Sequence, residues 1–253
     1  MTPLAEPFRI IAHRGASGYA PENTMAAFER AVALGATEVE TDVAFTKDRR
    51  LLLFHDATLE RTTDGSGRPE DYTLEELKRL DAGSLLDREY AGEPLITLEE
   101  LFDRFGDTLT YHVEIKKPMP GLVRAVIGAI RPRGLIDRVF IAAIDDDESL
   151  QEALRLAPGI RTASAPVARL RKAGPRAIEE AAGRGHAMVT LASFNQSKDL
   201  VELAHSLGLE ARSSGIADRA QMIEAAEIGC NGMTINWPDW LMDYVGDRKR
   251  GSE

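Results

Sequence analysis

Short apolar strands alternate with helical patterns along most of the chain. A strand over 8–12 is followed by a helix that Thr24 can cap and Gly35 can end, and then by a strand over 37–45. Such strand–helix–strand units are typical of parallel α/β folds. Setting aside a hairpin strand over 51–55, eight strands alternate with helices, which predicts a (β/α)8 TIM barrel. The eight strands are predicted at 8–12, 37–45, 109–115, 138–142, 160–164, 187–191, 208–212 and 231–235.

The stretch from Ala57 to about Pro94 interrupts this alternation. It contains a helical pattern near 73–80 and several glycines, but no clear strand. We interpret 57–94 as a small insertion that caps the barrel mouth, placed after the hairpin strand that carries His55. A chain of 253 residues has a routine size for one barrel, so a single domain over 1–253 is expected. Further helices are predicted at 97–104, 121–131, 147–156, 174–183, 197–206 and 218–227.

Net charge and cysteine content limit the partners and the disulfides that this chain can have. The net charge of -10, from 31 basic and 41 acidic residues, argues against nucleic acid or an anionic membrane as a partner. Cys230 is the one cysteine, so no intramolecular disulfide forms, and it is expected to be a buried small apolar residue. No secretory signal and no apolar run of about 18 residues is present, which predicts a soluble cytoplasmic protein without a transmembrane segment.

Two acidic residues occupy one face of the second strand. Glu40 and Asp42 are two positions apart, so both side chains point the same way. The following loop is too short for a crossover helix, so the next strand must return antiparallel. A turn centred between Asp48 and Arg49 would place His55 opposite Asp42 with Glu40 diagonal to it. Burying such a cluster is costly unless its charge is compensated, and a divalent cation would compensate it.

Other ionisable residues end neighbouring strands. His13 and Arg14 end the first strand, and Glu114 and Lys116 end the strand over 109–115. In barrels of this kind the carboxyl ends of the strands form the active site. Each residue alone has an ordinary structural explanation, such as a solvated Glu114–Lys116 ion pair. Four separate segments that bring ionisable groups to one rim are harder to explain by packing alone.

The chemistry of this set is coherent. Glu40, Asp42 and Glu114 offer hard oxygen ligands suited to one Mg²⁺ or Ca²⁺, and no Cys/His spacing suggests zinc. Arg14 and Lys116 are donors suited to a phosphate. Two histidines supply an acid and a base near neutral pH. Together these groups predict a site that cleaves a phosphodiester.

The sequence resembles the glycerophosphodiester phosphodiesterase family, which is related to phosphoinositide-specific phospholipase C. The resemblance covers the first half of the chain in order. It is carried by Ala12-His13-Arg14-Gly15, Pro21-Glu22-Asn23-Thr24, Glu40-Thr41-Asp42-Val43 with Thr46-Lys47-Asp48, Phe54-His55-Asp56, Arg61-Thr62-Thr63 and Val113-Glu114-Ile115-Lys116.

This resemblance implies a TIM barrel with a small insertion and a metal-dependent enzyme. The expected reaction is hydrolysis of a glycerophosphodiester to sn-glycerol 3-phosphate and an alcohol. The implied roles are Glu40, Asp42 and Glu114 as metal ligands, His13 and His55 as the acid/base pair, and Arg14 and Lys116 as phosphate contacts. Which histidine acts first as base, and whether the chain forms a homo-oligomer, stay open.

The second half departs from the family pattern. Ala142, Ala143 and Ile144 stand where the family usually has Ser-Ser-Phe. Arg-Ser-Ser-Gly at 212–215, including Ser213 and Gly215, stands where it has Trp-Thr-Val-Asn. Asn236 and Trp237 replace Thr-Asp before Pro238-Asp239.

These positions shape the alcohol pocket in the family. Substrates such as a lysophospholipid, as in lysophospholipase D, or an inositol phosphodiester therefore stay alternatives, and so does a non-catalytic protein that binds phosphodiesters. Trp237 and Trp240 are interpreted as packing residues rather than as pocket walls.

Overall fold

Eight parallel strands close into a barrel, as the sequence predicts. The structure, a computed structural model, describes residues 4–250 apart from the side chain of Lys249. In it β1 pairs with both β2 and β9, which closes the ring, and β3 adds to β2 as an antiparallel strand. The strands are β1 (Arg9–His13), β2 (Glu38–Phe45), β3 (Leu51–Leu53), β4 (Thr110–Ile115), β5 (Val139–Ile144), β6 (Arg161–Ala165), β7 (Met188–Ala192), β8 (Glu210–Ser214) and β9 (Gly232–Ile235).

Helices surround the barrel, and most match the predicted ones within a few residues. The prediction missed α6, which begins directly after β6, and α10, which begins at Pro238 directly after the last strand. No helix within residues 4–250 is both long enough and apolar enough to cross a membrane. The helices are α1 (Met25–Ala33), α2 (Leu74–Leu77), α3 (Leu98–Phe105), α4 (Leu122–Ile130), α5 (Asp147–Leu156), α6 (Val167–Ala173), α7 (Arg176–Gly183), α8 (Lys198–Ser206), α9 (Arg219–Glu227) and α10 (Pro238–Arg250).

Two threonines begin helices as the sequence predicts. The Thr24 hydroxyl accepts a hydrogen bond from the backbone N–H of Ala27 and so caps α1. Thr97 and Glu100 form a reciprocal capping box at the start of α3. Both helices therefore have fixed start points relative to the barrel.

The alternation along β2 turns one apolar face toward the helices and one acidic face toward the barrel interior. Val39 and Val43 belong to the buried cluster that packs between the barrel and the helices. Side chains alternate along a strand, so Glu38, Glu40 and Asp42 face the interior. The sequence of β2 thus explains why acids are buried inside the barrel while its outer face is apolar.

The hairpin register differs by one residue from the predicted one. Phe54, not His55, lies opposite Asp42, and the Phe54 backbone N–H donates to the Asp42 carbonyl at 3.1 Å. The prediction that His55 faces Asp42 is therefore wrong. The physical reason is Arg49, whose left-handed backbone (φ 60) closes a three-residue loop after Thr46.

The segment 57–94 forms no strand, as predicted, and α2 within it is shorter than the predicted helix. Its apolar side chains form a small core of their own against β3. That core contains Leu52, Phe54, Leu59, Leu74, Leu77, Ala82 and Leu95. The segment is thereby held beside the end of the hairpin that carries His55.

Candidate active site

Three carboxylates converge inside the mouth of the barrel. Glu40 and Asp42 lie on β2, and Glu114 lies directly beside Asp42 on β4. One carboxylate oxygen from each lies within 4.8 Å of the others. Glu40 is 3% exposed and Asp42 1% exposed, so water cannot screen their repulsion. An all-oxygen donor set of this kind fits a hard divalent cation.

Two cations, Arg14 and Lys116, offset part of the negative charge of this triad. Burial and the neighbouring Asp42 and Glu114 carboxylates raise the pKa of Glu40 well above its ordinary value. Arg14 Nε lies 3.1 Å from Asp42 Oδ2. Lys116 Nζ lies 2.9 Å from Glu114 Oε1 and 3.7 Å from Asp42 Oδ1. The two predicted phosphate contacts therefore lie at the triad, one on each side.

Arg14 is held in an unusual backbone conformation. Both Arg14 (φ 55) and Asn23 (φ 57) are non-glycine residues in the left-handed region. The Arg14 backbone N–H donates to Glu40 Oε2 at 3.2 Å, and the Asn23 amide donates to Asp42 Oδ2 at 3.2 Å. Such conformations cost roughly 1–3 kcal/mol and concentrate at functional sites. Here they aim two donors at the acidic cluster.

His13 ends β1 and is held by a residue from the far end of the chain. Its Nδ1–H donates to Asn236 Oδ1 at 2.6 Å, which leaves Nε2 with a lone pair 3.8 Å from Glu40 Oε2. Burial, assisted by the positive charge of Arg14, lowers the pKa of His13 to about 4. The ring is therefore neutral at physiological pH and presents an unprotonated nitrogen to the triad.

His55 follows the hairpin strand and has a different partner. Its Nδ1 lies 2.5 Å from Asp56 Oδ1. A hydrogen bond from Arg61, together with His55, lowers the pKa of Asp56 to about 2, so Asp56 is ionised at neutral pH. The Asp56 carboxylate therefore accepts the Nδ1–H of His55 and fixes the orientation of the ring. His55 and Lys116 line the same cavity, which places His55 at the mouth of the barrel.

Sequence reasoning missed the role of Asn236. It appeared only as a departure from the family pattern, yet it fixes the orientation of His13. Its place directly after β9 is a signal that could have found it, because the ends of parallel strands meet at one rim.

Arg212 was also missed. It is 4% exposed and points into the barrel, where Nε donates to Thr190 Oγ1 at 3.1 Å and Nη1 lies 3.3 Å from His112 Nδ1. His112 pairs laterally with Glu40 in the sheet and precedes Glu114 by two residues on β4. The Arg212 guanidinium thus lies directly below the triad.

Of the other departures from the family pattern, Ile144 is exposed, while Ala142, Ala143 and Ser213 are buried. Ala142 packs inside the barrel, and the Ser213 hydroxyl is buried and donates to Gln196 at 2.5 Å. The Trp237 and Trp240 rings stack with centroids 4.5 Å apart, which agrees with a packing role.

Comparison with known proteins identifies the family. Residues 13–240 match the sequence model of the glycerophosphoryl diester phosphodiesterase family. The chain belongs to this family. It is 35% identical over 246 residues to the glycerophosphodiester phosphodiesterase of Caldanaerobacter subterraneus, covering 96% of this chain and 98% of that protein. It is 34% identical to the glycerophosphodiester phosphodiesterase of Bacillus subtilis, covering 93% of this chain and 86% of that protein.

Solved structures agree with this assignment. An Oleispira antarctica phosphodiesterase, in complex with the product sn-glycerol-3-phosphate, superposes with a TM-score of 0.85 at 27% identity. The match covers 94% of this chain and 96% of that one. The predicted TIM barrel and the predicted membership of the glycerophosphodiester phosphodiesterase family are both confirmed.

Proposed function

We propose that the protein hydrolyses glycerophosphodiesters to sn-glycerol 3-phosphate and an alcohol. The observation that carries the proposal is the Glu40–Asp42–Glu114 triad, with two histidines and two cations at the same barrel mouth. The near full-length similarity to named glycerophosphodiester phosphodiesterases supports this substrate class.

The triad would hold one divalent cation, Mg²⁺ or Ca²⁺. Three carboxylates lie within 4.8 Å of one another, two of them buried and one with a strongly raised pKa, and such a set favours a cation at its centre. Such an ion supplies charge neutralisation for the phosphoryl oxygens of a bound diester. Arg14 and Lys116 would orient those oxygens, because their guanidinium and ammonium groups already face the triad.

The two histidines would divide the proton transfers. His13 is neutral and presents Nε2, so it would accept the proton of the glycerol 2-hydroxyl as that oxygen attacks phosphorus. His55, oriented by its contact with Asp56, would donate a proton to the departing alcohol oxygen. Water would then open the cyclic phosphate with the two roles reversed.

Turnover by histidine variants tests this assignment. We expect His13→Ala and His55→Ala each to lower kcat by roughly 10²–10⁴-fold on glycerophosphocholine with Mg²⁺ or Ca²⁺. His205→Ala is the matched control, because His205 bonds to Asn231 on the helical side of the barrel. Wild-type turnover in both site variants would refute the two-histidine mechanism. Diester binding without product would favour the non-catalytic alternative.

The remaining expectations belong to the same proposal. We infer a single domain over 1–253 that acts in the cytoplasm on a small-molecule diester. A lysophospholipid or inositol phosphodiester stays an alternative substrate, and a panel of these diesters assayed with each metal distinguishes them.

A further inference from the structure

A cavity of about 210 Å³ opens beside His55 and Lys116. The two residues belong to the proposed reaction centre, so the cavity begins where the phosphodiester would react and extends away from it. None of the second-half positions that depart from the family pattern lines it. Its walls are Ala44, Phe54, His55, Asp56, Ala57, Pro69, Glu70, Lys116, Lys117 and Met119.

Half of this wall is apolar, contributed by Ala44, Phe54, Ala57, Pro69 and Met119. At about 30 Å³ for each water in the liquid, the volume corresponds to roughly seven non-hydrogen atoms. A short alcohol fits this volume.

The charged groups of the wall already have partners. Asp56 is bonded to His55 and Arg61. Glu70 pairs with Arg68, and with Lys117 at 3.0 Å.

Lys116, the remaining cation of the wall, bonds to Glu114 in the triad. An ammonium head group would therefore meet cations as well as carboxylates that are already engaged. On the apolar half of the wall the hydroxyls of a polyol would lose hydrogen bonds to water, and on the charged half they would compete with ion pairs already formed. An uncharged alkyl group has no hydrogen bonds of its own to lose and gains burial of apolar surface.

We propose that this cavity binds the leaving alcohol and selects uncharged short-chain alkyl alcohols over polyols and quaternary ammonium alcohols. The inference rests on the proposed function, in which His55 protonates the departing oxygen at the cavity entrance. The polar side of the centre, with Arg14, His13 and Asn236, is left for the glycerol arm.

The test compares three glycerophosphodiesters whose alcohols are 1-butanol, choline and glycerol. We expect kcat/KM for the butanol diester to exceed kcat/KM for the choline and glycerol diesters by about tenfold or more. Burial of the butyl chain in an apolar pocket is worth at least that factor. Met119→Asn should remove most of this preference, chiefly by lowering kcat/KM for the butanol diester. Met242→Asn is the control, because Met242 packs beneath α1 on the outer core and should keep the preference.

A binding measurement separates this inference from the reaction itself. Butyl phosphate should bind more tightly than glycerol 2-phosphate by calorimetry, and Met119→Asn should abolish the difference. Higher kcat/KM for the choline or glycerol diester, or an unchanged preference in Met119→Asn, would overturn the assignment of the cavity. If no diester is cleaved with either metal, the proposed function fails. The relative affinity of the two monoesters would still show whether the cavity prefers an alkyl group to a polyol.

Discussion

Replacing Glu40 by glutamine removes one charge from the triad while keeping its shape. The carboxylate oxygens of the triad that could bind a metal are at most 4.8 Å apart. At that distance two carboxylates repel each other by about 3–4 kcal/mol at an effective dielectric constant of ~20. Glu40 takes part in two such pairs, and nearby cations offset much of the repulsion. We expect Glu40→Gln to stabilise the metal-free protein at pH 8 by about 1–3 kcal/mol, after that offset.

The pH dependence follows from the raised pKa of Glu40. A carboxyl group with a folded-state pKa above its unfolded value of 4.5 contributes stability below pH 4.5, and this stability is lost as pH rises through the folded-state pKa. Wild type and Glu40→Gln should therefore differ little at pH 4.5. The variant should be the more stable one at pH 8, because the wild type loses stability as pH rises from the unfolded-state pKa of Glu40 toward its raised folded-state pKa.

Urea unfolding with a chelator, at pH 4.5 and pH 8, measures this difference. Added Mg²⁺ or Ca²⁺ at pH 8 should then stabilise wild type and have a much smaller effect on Glu40→Gln. Glu75→Gln is the control, because Glu75 is an exposed acid on α2 that pairs with the exposed Arg79. The reasoning is refuted if Glu40→Gln is less stable than wild type at pH 8 without metal, or if both gain equally from the ion.

Two residues missed by the sequence should also respond to substitution. Arg212→Met should destabilise the metal-free protein by roughly 2–4 kcal/mol in urea unfolding, since it leaves buried carboxylates and His112 without their cation. Arg212→Lys should lose less stability than Arg212→Met. Equal stability of Arg212→Met and wild type would contradict the placement of the Arg212 guanidinium below the triad. Asn236→Ala frees the Nδ1–H of His13, so kcat should fall about tenfold with little change in KM. Asn236→Asp should restore the rate, and the limb of the pH profile that reports His13 as the base should be shifted. An unshifted profile would show that Asn236 serves packing alone.

The strand period and the strand ends were enough to predict most of this site. Glu40 and Asp42 share one face of β2, and Glu114 lies beside Asp42 near the end of β4. The sequence indicates both the shared face and the strand end. His55 was assigned to the site for a partly wrong reason. The register depends on Arg49 in a left-handed conformation, which a sequence without glycine at that position does not signal.

Residues that act through distant partners could not be predicted in the same way. Asn236 and His13 are 223 positions apart, and their contact exists only because β9 pairs with β1 to close the barrel. Arg212 lies in a polar strand that could equally be an exposed edge. Its burial follows from closure of the ring, where Thr190 and His112 supply its partners.

The charge balance of the centre leads to a last prediction, on the coupling between metal and substrate. Three carboxylates face three cations, with Arg14 and Lys116 at the triad and Arg212 below it. These charges nearly cancel, so a bound divalent cation leaves the centre with excess positive charge. A phosphodiester or phosphate monoester anion would neutralise part of that excess.

Metal and anion should therefore bind cooperatively. We expect sn-glycerol 3-phosphate to tighten the Mg²⁺ or Ca²⁺ dissociation constant by about 5–150-fold, the range of a 1–3 kcal/mol coupling, and the metal to tighten the monoester equally. Calorimetric titrations in both orders measure the two factors. The Lys116→Met variant has lost one of the balancing cations, so its metal affinity should be higher and its coupling to the anion smaller than in wild type. If the metal affinity of wild type were the same with and without the monoester, Arg14, Lys116 and Arg212 would not be balancing the charge of the triad in the way that their positions indicate.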